Sequence, residues 1–336
     1  MKSFLEEWNN DSPYVEVKTS GSTGVPKRMR VEKRRMLNSA RITCDFLELK
    51  RGDTALLCMS TAYIAGKMMV VRAIERGLQL ITVEPSGHPL KSTQEGLPPC
   101  IDFAAMVPLQ VYNSLQVSEE RDRLRHIRHL IIGGGAIDDH LQEALKDFPN
   151  AVWSTYGMTE TLSHIALRRL NGPMASSWYI PFEGVTLSQT EEGCLVIDAP
   201  AVHDGLLVTN DIVELSTVNS QLSTQQFRIL GRKDNVICSG GIKIQMEEVE
   251  RLLRPHLSVP YMITRAKDER LGETVVLLME GANTEEVKIV CEKVLPRYWQ
   301  PRRFVTVDHL PLTETGKLAR AEAERIVREN GTHPHG

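Results

Sequence analysis

The sequence predicts an α/β protein with two domains, and three observations support this prediction. Helical and strand-like patterns alternate from residue 28 to about residue 155, which is typical of a largely parallel sheet covered by helices. After Tyr179 the pattern changes to short strands separated by turns, so we expect a β-rich layer there. Beyond Arg232 a second α/β pattern follows. We therefore predict a large domain over residues 1–233 and a small C-terminal domain over residues 234–336.

Apolar periodicity places the elements of the large domain. Residues at helical spacing predict helices over 37–47, 65–77 and 137–148. Short apolar runs predict buried strands over 54–59, 78–83, 102–108, 129–135 and 151–157. Ligands in sheets of this kind gather where strands end and loops begin. The polar loops that follow these strands are therefore candidate sites.

The rest of the chain gives a second set of elements. The run GVTLSQTEEGCLVID at 184–198 predicts a hairpin, and further β-structure is expected over 205–215 and 227–232. In the small domain we expect helices over 244–254 and 287–295. We expect strands over 260–265, 274–279 and 304–310.

Composition favours a soluble protein with small-molecule ligands. The net charge of −3 and the pI near 6.4 provide no broad basic field, which argues against nucleic acid or an anionic membrane as partner. No segment is long and apolar enough to cross a bilayer, so we expect a cytoplasmic location. The usual motifs of zinc proteases and esterases, HExxH and GxSxG, do not occur. We expect reduced, structural cysteines at positions 44, 58, 100, 194, 238 and 291.

The first polar cluster is the loop in VEVKTSGSTGVPK, residues 15–27. Gly21 and Gly24 can bring a ligand close to the backbone, and Lys27 adds a cation. Hydroxyl groups come from Thr19, Ser20, Ser22 and Thr23. This mixture suits a phosphate chain, although a polar hairpin turn between two strands is an alternative. A P-loop is excluded because its second glycine would fall at Pro26.

Three further clusters carry polar groups in loops. STYGMTE follows a predicted strand, and its alternative interpretation is a helix start capped by Thr159. Asp211 lies in a strand-like run before GRKDNVICSGG at 231–241. An acidic residue in a strand indicates a ligand unless the strand lies at an edge. LPLTETGKLAR contains Lys317, which could equally be a solvated loop lysine.

Together the clusters resemble the motifs of one family. TSGSTGVPK, YGMTE, the Asp211 strand, GRKDNVICSGG and LPLTETGKLAR occur in the order and approximate spacing of the adenylate-forming superfamily. This superfamily comprises acyl-CoA synthetases, nonribosomal-peptide adenylation domains and luciferases, and the resemblance extends from Val17 to Arg320. It implies the acyl-adenylate-forming enzyme fold, with an N-terminally shortened large domain that has a mixed sheet and a β-rich layer. A small mobile α+β C-terminal domain would complete it.

The resemblance also implies the residues that bind ATP and Mg²⁺. The opening loop would grip the β- and γ-phosphates, and Asp211 and Arg232 would hold the ribose hydroxyls. Thr159 would contact the α-phosphate, and Glu160 would hold Mg²⁺, a hard cation that prefers carboxylate oxygens. The adenine would lie beside Tyr156 and the glycine-rich strand end. The complete nucleotide site would consist of Thr19, Ser20, Gly21, Ser22, Thr23, Gly24, Lys27, Gly133, Gly134, Gly135, Ala136, Tyr156, Gly157, Asp211 and Arg232.

The activity that the resemblance implies is that of an AMP-forming acid–thiol ligase. Lys317 and the metal ion would neutralise charge while a substrate carboxylate attacks the α-phosphorus and expels pyrophosphate. Thr159 and Glu160, which contact the α-phosphate and the metal, would be the other two catalytic residues. The acyl adenylate would then react with the thiol of coenzyme A after the C-terminal domain rotates about Asp234. Gly241 would leave room for the pantetheine arm, and Lys243 would face the phosphate in this second state.

Three departures from the family pattern stand out. Only eighteen residues precede the opening loop, where relatives have many more, so we expect the family's first subdomain to be lacking. Tyr63 lies near the position of a histidine found in many relatives. Asn210 occupies the position of the usual glycine before Asp211.

The resemblance implies that the substrate is a small carboxylic acid, and one stretch of the sequence indicates which class of acid. YGMTETLSHIALRRLNG is similar to the o-succinylbenzoate-CoA ligases of menaquinone biosynthesis, which implies an aromatic keto-diacid. Lys67, His164 and Arg168 could contact the second carboxylate, although Lys67 and Arg168 could instead be solvated helix-face charges. Two alternative functions stay open. The first is an adenylating enzyme that acts on another acid or loads a carrier-protein thiol, and the second is a non-catalytic AMP-binding protein.

Overall fold

The computed structural model describes residues 1–18, 28–91, 97–219, 224–281, 283–313 and 318–330. The helices are α1 (Lys2–Trp8), α2 (Lys33–Phe46), α3 (Ile64–Arg76), α4 (Pro108–Gln116), α5 (Ser118–Arg125), α6 (Asp139–Leu145), α7 (Met246–Leu253), α8 (Thr284–Val294) and α9 (Arg320–Glu329). None of the helices in these ranges is long and apolar enough to cross a membrane.

The strands alternate with these helices in the first half of the chain and dominate the second. They are β1 (Tyr14–Lys18), β2 (Arg28–Glu32), β3 (Thr54–Leu57), β4 (Gln79–Thr82), β5 (Ile101–Met106), β6 (Ile127–Ile132), β7 (Ala151–Gly157), β8 (His164–Arg169), β9 (Ile180–Pro181), β10 (Thr186–Gln189), β11 (Cys194–Asp198), β12 (Leu206–Asn219), β13 (Thr224–Arg232), β14 (Val236–Ser239), β15 (Ile242–Gln245), β16 (Tyr261–Asp268), β17 (Gly272–Glu280) and β18 (Arg303–Val307).

A seven-stranded sheet has the order β4-β3-β5-β6-β7-β8-β9. The five strands β3 to β7 are parallel, and β8 and β9 are antiparallel to their neighbours. In β3 and β5 consecutive apolar residues are buried, which requires cover on both faces of the sheet. Because parallel strands end at one edge, the loops after β5, β6 and β7 begin at the same edge of the sheet. The predicted mixed α/β sheet is confirmed.

Several boundaries differ from the sequence-based prediction. The strand expected over 102–108 ends at Met106, and Pro108 starts α4, because proline fits the first turn of a helix. β8 was not predicted, because its sequence HIALRR has only three consecutive apolar residues, between a histidine and two arginines. The helix α5 was missed because SEERDRLR is charged on most of its faces.

The expected β-rich layer is a four-stranded sheet with the order β10-β11-β12-β13. The hairpin predicted over 184–198 corresponds to β10 and β11, which are neighbours in this sheet. The turn between them is closed by the Gly193 N–H, which donates to the carbonyl of Thr190 at 2.9 Å.

The chain forms two compact units. The first comprises Met1–Ser188, Val196–Leu207 and Leu215–Arg228, and the second comprises Gln189–Leu195, Val208–Glu214 and Ile229–Gly336. The sequence-based boundary near Asp234, and the mobility of the C-terminal domain, stay predictions.

The second unit is built around β17, which pairs antiparallel with β16 and parallel with β18. Alternate residues of a strand face opposite sides of the sheet, so β17 contributes to two cores. Helices α7 and α8 cover the side that contains Val275, Leu277 and Met279. Helix α9 covers the side that contains Val276 and Leu278.

Candidate active site

Eight predicted site residues lie outside the described ranges, and their roles stay predictions: Thr19, Ser20, Gly21, Ser22, Thr23, Gly24, Lys27 and Lys317. The residues that flank them are described. In the antiparallel pair β1–β2, Lys18 lies opposite Arg28, and Lys18 also forms a parallel bridge to Tyr63. The end of β1 therefore lies beside the loop that follows β3.

The predicted glycine-rich turn follows β6. Gly133 donates its N–H to the carbonyl of Met106 at 3.0 Å, so the turn begins beside the end of β5. A Cβ atom on Gly133 would lie 2.2 Å from Thr155 Oγ1 in β7. Only glycine fits this close approach. Gly134, Gly135 and the exposed Ala136 continue the turn toward α6.

The YGMTE motif connects two antiparallel strands. β7 ends at Gly157 and β8 begins at His164, and their register shifts between Tyr156 and Gly157. No helix follows the motif, so the alternative in which Thr159 caps a helix is wrong. We call residues 158–163 the motif loop.

Thr161 organises the motif loop, although sequence reasoning did not single it out. Its side chain is fully buried, and its Oγ1 accepts the Met158 N–H at 3.0 Å. The same hydroxyl lies 2.7 Å from the carbonyl oxygen of Ser163 and 3.1 Å from that of Met158, to either of which it can donate. Thr159 and Glu160 lie between these anchors and are half-buried.

Tyr156 belongs to a buried aromatic cluster. Its ring lies 4.9 Å from Phe227 in an edge-on arrangement and 5.9 Å from Tyr179. Tyr179 and Phe227 stack on each other at 5.4 Å, and the Tyr179 hydroxyl lies 2.7 Å from Ser154 Oγ. Tyr156 is 6 % exposed, so its ring is packed among these neighbours. Its contact with adenine stays a prediction.

Asp211, Arg232 and Asp234 lie together in the second unit. Arg232 Nη1 donates to Asp211 Oδ1 at 3.0 Å, and its Nη2 donates to Asp234 Oδ2 at 2.9 Å. The guanidinium group therefore joins the predicted ribose-binding carboxylate to the predicted hinge. β12, which contains Asp211, has strands on both sides. The alternative of an edge strand that tolerates an acid therefore does not hold.

The conformation of the local backbone explains why glycine occupies position 241. Gly240 and Gly241 connect β14 to β15, in which Ser239 lies opposite Ile242. Their φ angles are +57° and +83°, which is the geometry of a two-residue hairpin turn that favours glycine at both positions. Lys243 is exposed on β15. The role of Gly241 in coenzyme A binding stays a prediction.

Arg72 is a buried cation that sequence reasoning did not single out. It is 2 % exposed, and within the described ranges it forms no ion pair with a carboxylate. Its Nη2 donates to Ser163 Oγ at 2.6 Å, whereas its buried Nε has no partner among the described residues. Burial lowers the pKa of Arg72 to about 10. A charge among the apolar residues of IAGKMMVVRAIER was the signal that could have revealed it.

The three side chains expected near the second carboxylate of the substrate are committed to other contacts. Lys67 is buried rather than solvated, and Nζ lies 3.1 Å from Glu7 Oε2. Arg168 donates to Gln142 Oε1 at 3.0 Å. His164 Nε2 lies 3.1 Å from the Thr43 hydroxyl. Burial, with Arg72 nearby, holds the pKa of His164 well below its usual value.

Glu160 fits the metal ligand expected of a nucleotide site. In the part of the chain that the structure describes, no group of three or more His, Cys, Asp or Glu side chains could hold a metal ion alone. Mg²⁺ in such sites is usually held by one or two carboxylates together with substrate phosphates. The Glu160 side chain forms no ion pair or hydrogen bond with another described residue, so its oxygens are available for such a role.

These features define an enzyme family. The sequence model of the family described as AMP-binding enzyme matches residues 4–198, which contain the glycine-rich turn and the motif loop. The chain belongs to this family. The match confirms the predicted superfamily and the enzyme class, an AMP-forming acyl-CoA synthetase.

Known proteins similar to the chain include both sequences and structures. A 2-succinylbenzoate–CoA ligase from Bacillus cereus is 25 % identical over 355 aligned residues, which cover 97 % of this chain and 73 % of that protein. An acyl-CoA synthetase (AMP-forming)/AMP-acid ligase II-like protein from Dyadobacter fermentans is 31 % identical, with a TM-score of 0.63 and coverage of 96 % of this chain and 92 % of that chain.

A third relative shows the same fold at lower identity. The o-succinylbenzoate coenzyme A synthetase from Bacillus subtilis, in complex with ATP and magnesium ion, has a TM-score of 0.72 and is 21 % identical. The alignment covers 91 % of this chain and 69 % of that chain. The predicted acyl-adenylate-forming fold is thereby confirmed.

Proposed function

We propose that the chain activates an aromatic keto-diacid of the o-succinylbenzoate type. ATP would convert the acid to an acyl adenylate, and coenzyme A would then accept the acyl group as a thioester. The similarity to 2-succinylbenzoate–CoA ligases supports this substrate class. One structural observation carries the proposal further, namely the buried guanidinium group of Arg72.

Arg72 is suited to the second carboxylate of such a substrate. A buried cation without a counter-charge costs several kcal/mol, roughly, and is retained where it binds something. The planar fork of arginine can form two parallel hydrogen bonds with a carboxylate. Its Nε is buried without a partner in the described part of the chain, so one of these donors is unused. Arg72 replaces Lys67 and Arg168 as our candidate for this contact.

The nucleotide end of the site follows from the family resemblance. We assign adenine to the neighbourhood of Tyr156 and residues 133–136, and the ribose hydroxyls to Asp211 and Arg232. Thr159 would contact the α-phosphate, while the loop before Lys27 would hold the outer phosphates. These assignments are supported by the motifs and by the pairing of Arg232 with Asp211 at 3.0 Å.

The reaction requires charge to be neutralised at both sides of the α-phosphorus. Glu160 would hold Mg²⁺, which when bound offsets the negative charge of the phosphates. Lys317 would place its ammonium group beside the attacking carboxylate. In the second half-reaction the C-terminal domain would turn about Asp234, and Gly241 would lie beside the pantetheine arm of coenzyme A.

A coupled assay of AMP release tests the proposal. The protein is incubated with ATP, Mg²⁺, coenzyme A and either o-succinylbenzoate, benzoate or a medium-chain fatty acid. We expect o-succinylbenzoate to be preferred, and Arg72→Met to raise its KM by about 10- to 100-fold, because hydrogen bonds to charged groups contribute about 1.5–3 kcal/mol. Activity with benzoate, which has one carboxylate, should change little in this variant.

Arg168→Gln is the matched control, because Arg168 already has partners within the protein. A larger effect of Arg168→Gln than of Arg72→Met would assign the second carboxylate to Arg168. AMP release with only another acid would contradict the substrate class. Adenylate formation without thioester formation would favour a carrier-protein thiol as acceptor.

A further inference from the structure

We infer that Thr161 is the positioning residue of the motif loop, and that its buried hydroxyl holds Thr159 and Glu160 where they bind phosphate and metal. The inference rests on the proposed function in one respect, the role of these two residues as ligands. It adds a residue to which neither the family motif nor the sequence assigned a role.

A single side chain joins the two ends of the loop. The Thr161 hydroxyl accepts the N–H of Met158 at 3.0 Å and lies 2.7 Å from the carbonyl oxygen of Ser163. Met158 and Ser163 are the first and last residues of the motif loop. Because Thr161 is fully buried, water cannot replace these hydrogen bonds.

Arg72 contacts the C-terminal end of the loop, whereas the hydrogen bonds that join its two ends come from Thr161. Arg72 Nη2 donates to Ser163 Oγ at 2.6 Å. The backbone between the anchors is strained, since Leu162 has a φ of +65°, a left-handed conformation that is unfavourable for a non-glycine residue. The Leu162 N–H donates to the carbonyl of Thr159 at 3.0 Å. The hydrogen bonds of Thr161 therefore offset strain that would otherwise relax the loop.

Thr159 and Glu160 depend on this backbone for their position. Both are half-buried, and neither side chain forms a hydrogen bond or ion pair elsewhere in the described ranges. Nothing in those ranges would hold their side chains if the loop relaxed. A displacement of about 1 Å in such groups is enough to reduce catalysis strongly.

Thr161→Val removes the hydroxyl while keeping the shape, and Thr161→Ser restores it. We expect the valine variant to lose amide hydrogen-exchange protection at Met158 and to need about tenfold more Mg²⁺ for half-maximal adenylate formation. The KM for the acid should stay within about twofold. The serine variant should recover both properties to within about threefold, because it restores the hydroxyl that forms these hydrogen bonds.

Thr264→Val is the matched control. Thr264 is also fully buried, but its hydroxyl has no partner among the described residues, so its removal should change neither exchange at Met158 nor the Mg²⁺ requirement. Unchanged exchange at Met158 in Thr161→Val, or a serine variant as impaired as the valine variant, would overturn the inference. An unaltered Mg²⁺ requirement in Glu160→Gln would instead contradict the proposed metal role, and the exchange measurement would still decide whether Thr161 holds the loop.

Discussion

Asn210 donates from its side-chain Nδ2 to both carboxylate oxygens of Asp234, at 3.1 Å each. Asp234 lies in the 3-10 turn that precedes β14 and is our predicted hinge. Arg232 donates to the same carboxylate at 2.9 Å, so two side chains restrain the residue that should rotate. The family resemblance places a glycine at position 210, and glycine could not form this contact.

Asn210→Ala should therefore change the balance between the two half-reactions. One hydrogen bond of this kind contributes about 0.5–1.5 kcal/mol, so the ratio of thioester formation to adenylate formation should change by about 2- to 10-fold. The measurement is single-turnover kinetics of each half-reaction. Asn38→Ala removes a comparable amide contact, to the carbonyl of Ala201 at 3.0 Å, and should leave the ratio unchanged. Equal ratios in wild type and Asn210→Ala would show that the contact does not restrain the hinge.

Replacement by methionine should change the free energy of unfolding in opposite directions at the buried Arg72 and at the half-buried Arg320. Arg72 has no carboxylate partner in the described ranges, so Arg72→Met should increase the free energy of unfolding by about 1–3 kcal/mol. Arg320 forms a two-pronged ion pair with Glu250, with distances of 3.0 and 2.9 Å, so Arg320→Met should decrease it by about 3–5 kcal/mol. Denaturant unfolding of both variants checks the contrast. Destabilisation by Arg72→Met would mean that its charge is already compensated.

His164 should make stability depend on pH. Its pKa in the folded protein lies well below the usual value because the ring is buried beside Arg72, so below about pH 6.5 the unfolded chain binds the proton first. The stabilising contribution is present above that pH and is lost as the pH falls toward the folded pKa. His164→Gln should show a shallower loss of melting temperature between about pH 7 and about pH 5. If the melting temperatures of the wild type and of His164→Gln depended on pH in the same way, His164 would not be the cause of the pH dependence.

Gly133→Ala should destabilise the first unit through a steric conflict. The new Cβ would lie 2.2 Å from Thr155 Oγ1, and overpacking of this kind costs about 1–3 kcal/mol. Thr155→Ala removes the opposing atom, so the double variant should recover much of the loss. A double-mutant cycle on thermal stability measures this coupling. Additive losses would indicate that the glycine is needed for another reason.

The sequence predicted those parts of the fold that depend on local pattern. Helices α2, α3 and α6 and strands β3 to β7 follow from apolar periodicity, because each buries a continuous stripe or run. Elements that are buried by residues distant in the sequence were not predicted. β8 is one, since its sequence HIALRR has only three consecutive apolar residues and its buried His164 contacts Thr43 of α2, 121 positions away in the sequence.

The candidate site likewise contains some residues that the sequence identified and others that it did not. Tyr156, Glu160 and Asp211 were named from motifs, because a family resemblance preserves spacing along the chain. Thr161 and Arg72 were not, since their importance comes from contacts in space. Arg72 and Ser163 are separated by 91 positions in the sequence, and no local pattern could show that one donates to the other.

The N-terminal residues of the chain contribute to packing and cannot be removed without consequence. Lys67 is buried in α3, and its Nζ contacts Glu7 in α1, the carbonyl oxygen of Glu16 and the ring of Phe4. A shortened variant that started after Trp8 would leave this ammonium group enclosed without its carboxylate. Any trimming of the N-terminus, by a protease or by design, should therefore stop before Phe4.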